Sequence, residues 1–217
     1  MKKIWFFDLD GTLADTDGDI RLAWKAAMRD MGLECPSFDR DFVAGPPIEE
    51  MARSLFPGIY TDTLGAELRR RFGERYDTGG FPATSEYPGV LDAVRRIKAR
   101  GARVFIATNK RVAGAKAMAL KFSWTDTFEK IYAGDMLFAD GTGPKMKKPA
   151  LLAHAMDELG VGPADCILVG DTANDFLAAR ENGMESVAVA WGYGKPAETA
   201  LAGRIVRSPE ELEKLES

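Results

Sequence analysis

From residue 87 onwards, short apolar runs alternate with stretches in which apolar residues recur at helical spacing. The runs predict strands, because they are rich in aliphatic and aromatic residues and are bounded by turn residues. The predicted strands, with a similar run that opens the chain, span residues 3–7, 103–107, 130–133, 166–169 and 186–190. The helical patterns span residues 90–97, 112–122, 149–159 and the stretch that ends at Gly183. This alternation predicts an α/β fold, a doubly wound parallel sheet with helices on both faces.

A long segment near the start of the chain contains helical patterns only. Its apolar positions recur at helical spacing in three stretches, residues 20–31, 48–56 and 64–76. Segments rich in turn residues stand at its two ends, at residues 14–19 and 77–82. We therefore predict a core domain of residues 1–15 and 83–217 that carries a small inserted all-helical cap domain, residues 16–82.

Polar side chains follow three of the predicted strands at the point where each strand ends. They are Asp8 and Asp10, Thr108 and Asn109, and Asp171 and Asp175. The carboxyl ends of parallel strands share one edge of the sheet, and ligands bind there where the strand order reverses. Each cluster alone is also typical of a cap or a turn. Three clusters at one edge favour a ligand site.

Asp8 and Asp10 are two residues apart at the end of the first predicted strand. While the backbone stays extended, this spacing places both carboxylates on one face, and Gly11 then allows a tight turn beside a ligand. Two neighbouring acids repel each other. The pair is tolerated if a cation lies between them or if one acid carries a proton, and either arrangement is useful in catalysis.

Composition limits the class of protein. The chain has 217 residues and a net charge of −4, with 46% hydrophobic residues, so it has ample material for a core and no basic excess that would indicate nucleic-acid binding. The first apolar run is interrupted by Asp8, and we expect neither a signal peptide nor a membrane partner. The two cysteines form neither a disulfide framework nor a zinc pattern. A cytoplasmic location is expected.

The segment Phe-Asp-Leu-Asp-Gly-Thr-Leu at residues 7–13 resembles the first motif of the haloacid dehalogenase-like hydrolase superfamily. Thr108 resembles its second motif, and residues 170–175 resemble its fourth. For the lysine of the third motif the best match is Lys148, with Lys145 and Lys147 as alternatives. Residues 45–50 and 191–194 resemble segments of its phosphoglycolate phosphatase-like branch, so the resemblance covers nearly the whole chain.

The resemblance implies a phosphatase that works through an aspartyl-phosphate intermediate. Asp8 is then the nucleophile, and Asp10 is the general acid that protonates the leaving oxygen and later the base that activates water. Mg2+ is expected as cofactor, held by Asp8, the main-chain carbonyl of Asp10 and Asp171, with Asp175 in support. The phosphoryl group is expected to be bound by Thr108, Asn109 and Lys148.

The substrate that the resemblance implies is a small phosphorylated metabolite, and we expect a monomer or a homodimer. The branch has a basic cap residue where this chain has Gly73, with Arg71 and Arg75 as possible substitutes, so phosphoglycolate itself is not fixed as the substrate. Two alternatives stay open. A phosphomutase acting on a sugar phosphate would share every core motif, and a non-catalytic binding protein could use the same fold.

Overall fold

The computed structural model describes residues 4–137 and 145–216, which form two compact units. The first unit comprises the chain up to Asp15 and from Ser85, and the second is Thr16–Thr84. The strands are β1 (Ile4–Phe7), β2 (Ala14–Asp15), β3 (Ser85–Glu86), β4 (Arg103–Thr108), β5 (Ile131–Ala133), β6 (Cys166–Gly170), β7 (Glu185–Val189) and β8 (Arg204–Val206). The helices are α1 (Asp17–Asp30), α2 (Phe38–Asp41), α3 (Ile48–Leu55), α4 (Asp62–Thr78), α5 (Val90–Ala99), α6 (Val112–Lys121), α7 (Lys148–Leu159), α8 (Ala173–Glu181), α9 (Pro196–Thr199) and α10 (Pro209–Glu213).

A six-stranded parallel sheet in the order β5-β4-β1-β6-β7-β8 is the framework of the first unit. The chain starts in the middle of this sheet, moves outwards through β4 and β5, and then returns to the other side of β1 to form β6. The strand order therefore reverses between β1 and β6, the point at which ligands bind in open parallel sheets. The predicted doubly wound α/β fold is confirmed.

β1 is buried along its whole length, as its unbroken apolar sequence requires in a sheet that is covered on both faces. Successive side chains point to opposite faces. Ile4 and Phe6 pack in a cluster that includes Leu151 of α7 and Ala178 of α8. Phe7 points the other way and meets the ring of Phe128 edge-on. These contacts fix β1 rigidly beneath the residues that follow it.

The second unit contains helices and turns only, as predicted for this segment. α1 and α4 pack against each other, and so do α3 and α4. Trp24 of α1 is buried among the rings of Phe38, Phe42 and Phe72, which makes it the centre of this core. At the ends of the segment, the buried Asp19 accepts hydrogen bonds from the Ala83 backbone and the Thr84 hydroxyl.

Several short elements are not predicted from the sequence. They are β2, β3, β8, α2, α9 and α10, each two to five residues long. Elements this short do not complete a hydrophobic period, so periodicity cannot reveal them. β2 and β3 pair antiparallel, with Ala14 opposite Glu86. In the part of the chain that the structure describes, no helix is both long and apolar enough to span a membrane.

Candidate active site

The candidate site lies at the carboxyl edge of the sheet, where the strand order reverses. β1 is paired in parallel with β4 on one side and β6 on the other, so that Phe7 is opposite both Ile106 and Val169. Asp8 continues this register, and its backbone N–H donates to the Val169 carbonyl at 2.8 Å. Asp171 follows β6 directly. The sheet thus brings residues more than 160 positions apart in the chain to adjacent places.

Three carboxylates converge at this edge. Asp8, Asp171 and Asp175 each offer an oxygen atom, and these oxygens all lie within 4.8 Å of one another. All three residues are buried, Asp171 and Asp175 completely. Burial raises the pKa of Asp8 to about 7, and the charges of Asp175 and Asp10 add to this effect against the opposing charge of Lys148. Burial, then Asp175 and Asp8, also raise the pKa of Asp171 well above its ordinary value.

Lys148 supplies positive charge to this group. Its side chain is only 3% exposed, and its ammonium lies 2.9 Å from Asp8 Oδ1 and 2.5 Å from Asp175 Oδ1. Burial alone would lower the pKa of Lys148, but the carboxylates of Asp175 and Asp8 outweigh it and raise that pKa. When all three carboxylates are ionised, one lysine cannot neutralise them, and the group then carries an excess of negative charge.

The three carboxylates have the composition of a site for a hard divalent cation, which prefers oxygen ligands. Asp8 Oδ1 is buried and accepts no hydrogen bond of proper geometry from the residues described, although Lys148 approaches it as an ion pair. A buried carboxylate oxygen without such a bond is costly, and a bound cation removes that cost. The residues present therefore fit a metal ion.

Asp171 is enclosed by backbone. Its Oδ2 accepts the Tyr193 N–H at 2.7 Å, and the Thr12 hydroxyl lies 3.5 Å from its Oδ1. A Cβ atom at Gly192 would overlap both Asp171 and the Gly11 carbonyl, and Gly11 itself has φ +77°. The small residues around Asp171 therefore allow the loops after β1 and β7 to close on this side chain and fix its orientation.

Asp10 is not one of the three converging carboxylates, although its charge raises the pKa of Asp8. Its Oδ1 is 2.8 Å from the ammonium of Lys110, whose side chain is 5% exposed. Thr108, at the end of β4, is fully buried, and its hydroxyl oxygen accepts the Lys110 backbone N–H at 3.1 Å. Asn109 is half-buried, and its carbonyl is contacted by the Lys145 ammonium.

The structure separates the three candidate lysines. Lys148 is buried among the carboxylates, whereas Lys145 and Lys147 are exposed. Asp8, Asp171, Asp175 and Lys148 are thus brought together. Thr108 lines the same edge at the end of β4, and Asp10 and Asn109 line it on the loops after β1 and β4. Lys110, Thr12 and Tyr193 were given no role from the sequence. Thr12 and Tyr193 lie within segments that carry the family resemblance, residues 7–13 and 191–194, and Lys110 directly follows Asn109 at a strand end.

Comparison with known proteins agrees with this geometry. A model of the haloacid dehalogenase-like hydrolase family matches residues 5–189. The phosphoglycolate phosphatase of Chromobacterium violaceum is 34% identical over 215 residues, which cover 95% of this chain and 92% of that protein. The 5'-nucleotidase of Pseudomonas aeruginosa is 27% identical over 189 residues, which cover 87% and 82% of the two chains. The solved structure of a predicted phosphatase from Clostridium acetobutylicum matches with a TM-score of 0.87 and 25% identity, over 100% of both chains.

The fold is a doubly wound α/β sheet with an acidic centre at its carboxyl edge, and the match to the family model covers most of the chain. The chain belongs to the haloacid dehalogenase-like hydrolase family. The predicted resemblance to this family and to its phosphoglycolate phosphatase-like branch is confirmed. The prediction of an enzyme of the hydrolase class is also confirmed, and the two relatives described above carry the names of phosphoric monoester hydrolases.

Proposed function

We propose that the protein is a Mg2+-dependent phosphatase that hydrolyses a small phosphomonoester through a covalent intermediate on Asp8. The observation that carries this proposal is the convergence of the Asp8, Asp171 and Asp175 carboxylates on the buried ammonium of Lys148 at the carboxyl edge of the sheet. It supports the proposal because phosphoryl transfer requires a nucleophile that is held in place among groups that offset its charge.

Asp8 has the position of a nucleophile. It follows a buried strand, its backbone is tied to β6, and its carboxylate is turned towards Lys148. A free carboxylate oxygen attacks phosphorus, the phosphorus–oxygen bond to the leaving group breaks, and an acyl phosphate forms on Asp8. Lys148 offsets the negative charges that meet in this step.

The carboxylates of Asp8 and Asp171 and the carbonyl of Asp10 would hold the Mg2+, with Asp175 in support through its contact with Lys148. When bound, Mg2+ supplies positive charge that reduces the repulsion between the Asp8 carboxylate and the phosphate dianion. The backbone donor of Tyr193 and the surrounding glycines orient Asp171 for this task.

Asp10 serves as general acid and then as general base. Its carboxyl group stands outside the group of three carboxylates, where it can give a proton to the departing alkoxide. In the second half of the reaction the same carboxylate takes a proton from the water that attacks the acyl phosphate. Asp8 is regenerated and inorganic phosphate is released, so the proton balance closes over the cycle.

Thr108 and Asn109 are suited to bind the oxygens of the transferring phosphoryl group. The Thr108 hydroxyl oxygen accepts the Lys110 N–H, which leaves its own hydrogen available for donation. Thr108 is the last residue of β4, the strand next to β1, and Asn109 begins the loop that follows. Oriented donors of this kind stabilise the equatorial oxygens without having to reorganise during the reaction.

The substrate is proposed as a class only. Gly73 is buried within α4 and offers no basic group at this position. The two arginines nearby are already engaged, Arg71 with Glu67 at 2.6 Å and Arg75 with Asp30 at 2.8 Å. The proposed substrate is therefore a small phosphorylated metabolite, with phosphoglycolate as one member of the test panel. A cytoplasmic location, a monomer or homodimer, and the absence of nucleic-acid and membrane partners stay predictions from the sequence.

The test is Mg2+-dependent phosphate release from a panel of 2-phosphoglycolate, sugar phosphates, nucleoside monophosphates and pyrophosphate. Asp8→Asn should reduce release by about 10³-fold or more, because the amide is not a nucleophile. Asp157→Asn, an exposed aspartate on α7, is the matched control and should keep full activity.

Isomerisation of a sugar phosphate without stoichiometric phosphate release would favour the phosphomutase. Metal binding without any turnover of the panel would favour the non-catalytic binding protein. Full activity of Asp8→Asn would overturn the proposed mechanism.

A further inference from the structure

Lys110 is a second buried lysine at the candidate site, and the reaction described above gives it no task. Its side chain is 5% exposed, and its ammonium lies 2.8 Å from Asp10 Oδ1, in a side chain that is 17% exposed. Lysine is rarely buried to this extent unless it is paired, because its ammonium loses hydration and its long stem loses rotamer freedom. The pairing of this residue with Asp10 therefore calls for a reason.

The fold holds Lys110 from both sides. Its own N–H donates to the Thr108 hydroxyl oxygen. On the other side, α6 begins at Val112, whose N–H donates to the buried Asp135 at 2.8 Å, and Arg111 lies 3.7 Å from the same carboxylate. The turn from β4 into α6 is thus fixed at both ends, and the Lys110 side chain extends from a rigid base.

Asp10 has a well-held backbone, since it forms a bridge with Ala14 and the neighbouring Gly11 N–H donates to the Ala14 carbonyl at 2.9 Å. It stands in the turn after β1, next to Gly11, which takes up φ +77°. The backbone alone does not set the side-chain torsion angles of Asp10, and a general acid has to face the leaving oxygen. Because β1 and β4 are adjacent and parallel, Lys110 lies within reach of Asp10 and forms an ion pair with its carboxylate.

We propose that Lys110 is a positioning residue for Asp10. Its ammonium, 2.8 Å from Asp10 Oδ1, pairs with the ionised carboxylate and donates a hydrogen bond to Oδ1 when the other oxygen carries the catalytic proton. This inference rests on the proposed function, since it assigns Lys110 a part in the acid step of the same reaction. It predicts that loss of Lys110 damages the departure of poor leaving groups specifically. General acid catalysis matters for an alkoxide, whereas a dinitrophenolate or acetate ion departs without a proton.

The experiment compares kcat/KM of the wild type and Lys110→Met for an alkyl phosphate and for dinitrophenyl phosphate or acetyl phosphate. The ratio kcat/KM reports only the steps up to departure of the leaving group, so hydrolysis of the acyl phosphate does not mask the effect. For the alkyl phosphate we expect a fall of about 10- to 100-fold, part of the usual contribution of a general acid. For the activated substrates we expect little change.

Two further variants separate positioning from general damage. Lys110→Arg keeps the charge and should recover much of the alkyl phosphate activity. In an Asp10→Asn background, Lys110→Met should cause no further loss on the alkyl phosphate, because the positioned group is absent. This double variant also removes both partners of the ion pair together, so that neither charge is left without the other. Lys116→Met, exposed on α6, is the matched control.

If Lys110→Met lowered kcat/KM equally for good and poor leaving groups, the inference would be overturned. An unchanged kcat/KM of Lys110→Met for the alkyl phosphate would also overturn it. An additive loss in the Asp10→Asn background would also contradict it. Failure of the proposed function has a different signature, because the wild type would then release no phosphate from any of these compounds.

Discussion

The ammonium of Lys148 lies 2.9 Å from the Asp8 carboxylate, and both side chains are almost fully removed from solvent. The same ammonium contacts Asp175, while Asp171 completes a group of three buried acids. The three acids outnumber the one lysine beside them. Asp8 and Asp171 follow parallel strands and Asp175 lies in the first turn of α8, whereas α7 contributes only Lys148. The consequences can be measured in activity, in stability and in metal binding.

Replacement of Lys148 by Met leaves three buried carboxylates without their cation. We expect phosphate release to fall by about 10²–10³-fold, as for loss of one preorganised donor. The free energy of unfolding should fall by about 3–5 kcal/mol, the usual cost of removing one partner of a buried ion pair. Lys147→Met, one residue away and exposed, is the control for both measurements. A large loss of phosphate release in Lys147→Met, with little change in Lys148→Met, would refute the assignment of Lys148 as the lysine of the site.

The stability of the metal-free protein should decrease as the pH rises. The pKa of Asp8 is raised from 3.8 to about 7, so between these values the folded protein holds a proton that the unfolded chain has lost. The stabilisation that comes from the raised pKa of Asp8 is complete below pH 3.8 and is lost as the pH rises through about 7. Urea unfolding at a series of pH values in the presence of a chelator measures this slope.

The Asp8→Asn variant tests the origin of that slope. We expect a shallower decrease between pH 4 and 7 and, at pH 8, a metal-free protein that is more stable by about 1 kcal/mol or more, since each pKa unit corresponds to about 1.4 kcal/mol. Asp157→Asn should keep the wild-type slope, because this residue is exposed. Identical slopes in wild type and Asp8→Asn would assign the pH dependence to other groups.

Mg2+ should stabilise the folded protein. At a concentration about 100-fold above its dissociation constant, a ligand of the folded state adds about 2.7 kcal/mol to the free energy of unfolding. The shift should grow with pH as the carboxylates lose their protons, and Asp171→Asn should remove most of it. Chemical unfolding with and without Mg2+ measures both effects. A wild type that gains no stability from Mg2+ at any pH would contradict the proposed site.

Gly192→Ala tests the enclosure of Asp171. The new Cβ would lie 2.6 Å from Asp171 Oδ2 and would overlap the Gly11 carbonyl, so the loop after β7 has to shift. We expect a loss of about 1–3 kcal/mol in stability, typical of overpacking, together with weaker Mg2+ binding. At Gly162 an added Cβ meets nothing within 4 Å, and Gly162→Ala is the matched control. Unchanged Mg2+ affinity in Gly192→Ala would show that this loop does not position Asp171.

Most of the fold and the acidic residues of the site could be predicted from the sequence. Asp8 and Asp171 could be placed together because parallel strands deliver their carboxyl ends to one edge, which follows from alternation of elements alone. The lysine could not be chosen in the same way. Lys145, Lys147 and Lys148 occur within four positions, and only the packing of the first turn of α7 buries one of them.

Two other contacts lie beyond the reach of sequence patterns. The pairing of Lys110 with Asp10 joins residues 100 positions apart and depends on β1 and β4 being neighbours in the sheet. The Tyr193 donor to Asp171 is a backbone N–H, which any residue except proline could provide. Its position is set by the path of the loop after β7, where Gly192 and Gly194 permit close approach.

The central claim is that Asp8 becomes phosphorylated, and its most direct test is to trap that acyl phosphate. Enzyme mixed with substrate and Mg2+ is quenched in acid and digested, and the peptide that contains Asp8 is examined by mass spectrometry. The account predicts one added phosphoryl group on Asp8 that hydroxylamine removes, present in wild type and Asp157→Asn and absent from Asp8→Asn. Phosphate release with the label on another residue, or with no covalent label during turnover, would contradict it.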